Sequence, residues 1–188
     1  MDNITSIKDT TSDQIIPFSV LIPKSSIERD DDIDKTFSQK CNLNTAAPVE
    51  RCVVGTVTCM HESAMIWFGW GFTKTDAGDG TSTKTPTSSA AEFGGLTVAM
   101  PQSYNDGAQA CSQLLEYEAP NSDADDAYMI GLQMAARLSK KLGWPIFVSC
   151  ALDARGLGQG VKFGLTQRAS ALAEKEVGRI LLAVKQRN

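Results

Sequence analysis

Met65-Ile66-Trp67-Phe68-Gly69-Trp70 is apolar at nearly every position, and its reading decides the fold. Side chains along a β-strand alternate between the two faces of a sheet. Met65, Trp67 and Gly69 therefore point one way, and Ile66, Phe68 and Trp70 the other. An antiparallel sheet with helices on one face ordinarily turns polar side chains to water on the other. Here neither face is polar. Ile146–Ala151 behaves alike, with Ile146, Val148 and Cys150 alternating with Phe147, Ser149 and Ala151. Two helices cover one face, so the opposite face is expected to meet a second subunit. Met65, Ile66, Trp67, Phe68, Trp70 and Phe147 are the residues expected to form that surface. The alternative is that the N-terminal segment of the same chain covers it.

Around this strand the chain divides into an N-terminal extension, residues 1–49, and an α+β domain, residues 50–188. The extension is polar apart from Ile15–Ile22, where Pro17 restricts any strand to a sheet edge. Its acidic run Glu28–Asp34 reads as solvated linker. Val53–Met60 is rich in β-branched residues and is separated from Met65–Trp70 by His61-Glu62-Ser63, which predicts a β-hairpin. Residues 72–93 are crowded with Thr, Ser, Gly, Asp and Lys, a composition that predicts a mobile loop. Leu96–Met100 is the next strand, ended by Pro101, and Ala110–Tyr117 is a weaker one.

Ser122 and Asp125 have the spacing of a capping box. Ala127, Gly131, Met134, Ala135, Leu138 and Leu142 then recur at helical intervals, until Gly143 and Pro145 stop the helix. Strand Ile146–Ala151, a glycine-rich turn, strand Val161–Leu165 and a helix over Thr166–Lys185 complete the chain. Strands mostly before helices, with hairpin connections, indicate an α+β fold with a mainly antiparallel sheet.

Composition narrows the function classes. Hydrophobic content of 42% and charged content of 21% are those of a soluble globular protein. A net charge of −4 with scattered Lys and Arg argues against nucleic-acid binding. No apolar run is long enough to cross a bilayer, and Met1–Thr10 lacks the order of a secretion signal. The expected compartment is the cytosol, with reach to the nucleus. Five cysteines at irregular spacing, with no C-x-x-C, suggest neither a disulfide framework nor a zinc site.

Catalytic constellations are not recognisable. His61 is the single histidine and falls in a hairpin turn, with only Glu62 as an acidic neighbour. Gly156-Leu157-Gly158-Gln159-Gly160 lacks the third glycine of a dinucleotide fingerprint, where Val161 stands. Asp123, Asp125 and Asp126 are explained by helix capping, without the further ligands that Mg²⁺ or Ca²⁺ requires. No catalytic, cofactor-binding or metal residue is therefore expected, and no cofactor.

Ser63-x-x-x-Trp67-x-Gly69, Leu96-x-Val98-Ala99-Met100 with Tyr104, and Ala135-x-Arg137-Leu138-x-x-Lys141 running into Phe147-Val148-Ser149 together resemble the proteasome assembly chaperone 4 family. The resemblance covers roughly half the chain. It implies a six-stranded, mainly antiparallel sheet with two helices, no enzymatic activity, and pairing with a related assembly-chaperone-3-like subunit. It further implies binding to α-type subunits of the 20S proteasome, α5 above all, to promote α-ring assembly. The extension and the 72–93 segment are longer than the family pattern, and residues 104–121 depart from it. Gln186-Arg187-Asn188 is not the hydrophobic-Tyr-x tail of other proteasome-binding chaperones, so ring binding is expected to use a surface of the fold. Two other classes compete: a longin- or roadblock-like dimerisation scaffold without a proteasome role, and a small-molecule enzyme with a closed polar pocket.

Overall fold

Met65–Trp70 lies within β3 (Ser63–Thr75), the central strand of one mixed sheet. The computed structural model describes residues 14–23, 49–75, 84–88, 94–101, 110–115, 123–152 and 163–187. The other strands are β1 (Gln14–Leu21), β2 (Val49–Met60), β4 (Lys84–Ser88), β5 (Leu96–Ala99), β6 (Cys111–Leu115) and β7 (Ile146–Ala151). The helices are α1 (Asp123–Leu142) and α2 (Phe163–Lys185).

Strand order is β1-β2-β3-β7-β5-β6, a six-stranded path, with β4 paired beside the far end of β3 as a seventh strand. All pairings are antiparallel except β3 with β7, where Ala64–Gly69 runs alongside Ile146–Ala151. β2 and β3 form the expected hairpin, turning at His61-Glu62, with Glu62 at a φ of 51°. β1 is an edge strand, which tolerates Pro17 and its missing N–H. Instead of covering a sheet face, residues 14–21 extend the sheet by pairing with Cys52–Cys59.

Both helices lie over one face, α1 across β7, β5 and β6, and α2 across β1 and β2. They run in the same direction. Arg137 is bound to Glu174, Leu138 lies 3.7 Å from where a Cβ on Gly178 would stand, and Lys185 Nζ donates to the Leu142 carbonyl at 2.7 Å. The core between helices and sheet includes Ile66, Phe68, Val53, Val57, Val148, Met134, Leu138, Val177 and Leu181. α1 ends where its apolar stripe ends: Gly143, at a φ of 70°, donates to the Ser139 carbonyl at 2.8 Å, a left-handed cap that glycine adopts at low cost.

Two sequence expectations are corrected. Residues 72–93 were expected to be loop, but β3 continues to Thr75 and β4 pairs with Gly71–Thr75. Phe72 is buried in the core at the start of this ladder, and beyond it main-chain hydrogen bonds join threonine-rich segments that carry no large apolar side chain. Val161–Leu165 was expected to be a strand, but α2 begins at Phe163. Leu165 is followed four residues later by the buried Ala169, so it belongs to the helical stripe. The Ser122–Asp125 cap, the Gly156–Gly160 turn, the acidic run and Tyr104 lie outside the residues whose side chains the structure describes.

Candidate partner-binding face

Register places the side chains of the uncovered sheet face in cross-strand rows. One row runs Pro17, Thr56, Trp67, Ser149, Leu96 and Leu115. The next runs Ile15, Thr58, Met65, Phe147, Val98 and Ser112. On the other side of the first row lie Ser19, Val54, Gly69 and Ala151, and then Leu21, Cys52 and Gly71. None of these residues carries a charge.

Trp67, Met65, Phe147 and Leu96 are half-buried, and they form the middle of the face. The rim is wetter and still apolar, with Ile15 68%, Leu21 43% and Leu115 59% exposed. Thr56 and Thr58 stand half-buried opposite Trp67 and Met65, and two further polar groups of the face are satisfied or withdrawn. Ser149 is buried and donates through Oγ to the Gly94 carbonyl at 3.2 Å, while the Cys52 thiol is buried and burial pushes its pKa up to about 12. Glu50, paired with Thr73, brings a charge only to the edge of this face, and a face that is apolar and uncharged over its middle marks an interaction surface more readily than a solvated one.

The six residues singled out from sequence separate by strand period. Met65, Trp67 and Phe147 lie on the open face. Ile66, Phe68 and Trp70 do not, and their place in the expected surface is corrected. They are buried beneath the helices in the core of this chain. Ile15, Leu21, Leu96 and Leu115 belong to the face and were missed. Their apolar character was visible, but only pairing register says which side of a sheet a short strand's residues occupy.

Elsewhere the described residues offer little chemistry. His61 and Glu62 are exposed at the hairpin turn. Among the described residues no group of three or more His, Cys, Asp or Glu side chains converges as a metal site would require. No described helix is long and apolar enough to cross a membrane. Cys52, Cys59 and Cys150 are buried free thiols, and Cys111 is an exposed one.

A family model described as proteasome assembly chaperone 4 matches residues 53–152, from β2 to the end of β7. No curated protein matches the chain. Among solved structures, it is similar to a chain from the crystal structure of a novel chaperone complex for yeast 20S proteasome assembly. That likeness has a TM-score of 0.43 and 11% identity, covering 91% of this chain and 97% of that one.

Proposed function

The chain belongs to the proteasome assembly chaperone 4 family, whose model spans more than half of it, and from that premise we propose that it is a non-catalytic chaperone of 20S proteasome assembly. In this reading it pairs through its open sheet face with a related, assembly-chaperone-3-like subunit. The pair binds α-type proteasome subunits, α5 foremost, and promotes α-ring formation in the cytosol and nucleus. The observation that carries the reading is the uncharged, apolar face around Trp67, Met65 and Phe147. Six strands spaced about 4.8 Å apart make this face roughly 24 Å wide. That width suits an interface of standard size, about 800 Å² per partner.

The test is affinity purification of the tagged full chain beside a Trp67→Glu variant that remains folded. The wild-type chain should recover a second small chaperone together with free α-subunits, and Trp67→Glu should lose the chaperone. Recovery of a dimeric partner without any α-subunit would favour the dimerisation scaffold instead. Recovery of neither would overturn the proposal.

A further inference from the structure

Away from the open face, one pole of the molecule gathers positive charge. Both helices end there, because Lys185 in the last turn of α2 reaches the Leu142 carbonyl at the end of α1. Lys140 and Lys141 occupy the last turn of α1, and Arg187 follows α2. All four side chains belong to exposed residues. The β2–β3 turn closes the same pole, since Ala64 N donates to the Pro145 carbonyl at 3.2 Å, and it brings Glu62.

Helix dipoles explain only part of this cluster. Each helix C-terminus is equivalent to roughly −0.5 of a charge, so two ends together offset about one cation. Glu62 offsets another. Among the described residues, four cations less these two leave about +2, on a chain whose formal charge is −4. Lys185 is directed at a carbonyl oxygen, with its Nζ 6.0 Å from the Trp144 ring centroid. Lys140, Lys141 and Arg187 have no carboxylate partner among the described residues. Arg137 and Arg179, by contrast, are each held by a glutamate at 2.6 Å.

We propose that this pole is a second docking surface, for an acidic stretch of a protein partner. Exposed cations at the helix ends with no carboxylate partner among the described residues suit a short run of Asp and Glu by charge complementarity. A nucleic acid presents a long line of phosphates, which the acidic remainder of the chain repels. The surface lies at the strand ends and is separate from the open face, so it does not depend on the pairing proposed above.

Fluorescence anisotropy of a labelled oligo-glutamate peptide with the full chain tests the surface. Binding should weaken steeply as salt shortens the reach of exposed charges, to about 10 Å at 0.1 M. A Lys140→Glu/Lys141→Glu/Arg187→Glu variant should lose about tenfold or more in affinity. An Arg168→Glu/Lys175→Glu control, on the exposed side of α2, should change it by less than about threefold. Should the triple variant unfold in a thermal scan, Lys140→Gln/Lys141→Gln takes its place, with a smaller loss expected. Equal losses in pole and control variants, no peptide binding at low salt, or tighter binding of an oligonucleotide of equal charge would each overturn the proposal. Trp67→Glu should leave peptide binding unchanged, which separates failure here from failure of the sheet-face pairing.

Discussion

Replacing Phe68 and Trp67 separately with alanine should produce opposite failures from adjacent residues. Phe68 is fully buried under the helices, with Gly55 and Cys150 opposite it on the neighbouring strands. Truncating a buried phenylalanine costs about 3–5 kcal/mol, from lost transfer energy and the cavity left behind. At about 2–4 °C per kcal/mol for a chain of this size, Phe68→Ala should lower Tm by roughly 6–20 °C. Trp67 is half-buried on the open face, so part of its surface is already wet in the isolated chain. Its truncation should cost the fold about 1–2 kcal/mol. At the centre of an interface, however, losing a tryptophan weakens association by about 2 kcal/mol or more, close to thirtyfold in Kd. Circular dichroism melts measure the first effect, and sedimentation or pull-down with the second subunit measures the other. Equal falls in Tm for the two variants would refute the assignment of faces. Unchanged partner recovery by Trp67→Ala would refute the role of the open face.

Gly94→Ala should be severely destabilising, because a Cβ there would overlap the Cys150 carbonyl oxygen and force β5 away from β7; a thermal scan reads the loss. Gly143→Ala meets no atom within 4 Å and suffers only from the positive φ, so it should cost about 1 kcal/mol, a small fall in Tm. Under native conditions an alkylating agent should modify Cys111 and spare Cys52, Cys59 and Cys150 until denaturant is added, as peptide mapping can verify. The hydrogen bond from Arg179 holds the Glu176 carboxyl below its ordinary 4.5, so this pair's support is present above that pH and is lost as pH falls through the lowered value. Glu176→Gln should therefore slightly flatten the acid side of the stability profile, and a wild-type slope in that variant would count against the pair.

Most element boundaries were legible because each rests on a local signal. Ile146–Ala151 is apolar in a run of strand length, and the stripe from Ala127 to Leu142 has helical period with Gly143 at its end. Legibility failed where local signal and tertiary use diverged. Threonine-rich β4 has no core-forming side chains and becomes a strand because β3 offers it a hydrogen-bonding edge. Leu165 reads equally as strand or helix until the buried stripe of α2 claims it.

What the sequence determined by itself is that Met65–Trp70 would be a strand with two apolar faces, in an α+β chain without a recognisable catalytic set. Those conclusions follow from composition and from periods of two and 3.6 residues, which are properties of neighbouring positions. Which face would be covered was decided only in three dimensions. The parallel pairing of β3 with β7, and the placing of both helices over Ile66 and Phe68, left Met65, Trp67 and Phe147 on the other side. Register across β1, β5 and β6 then added Ile15, Leu96 and Leu115 to the same face. Such contacts join residues far apart in the chain, and a one-residue slip in any of them would turn those side chains to the opposite face.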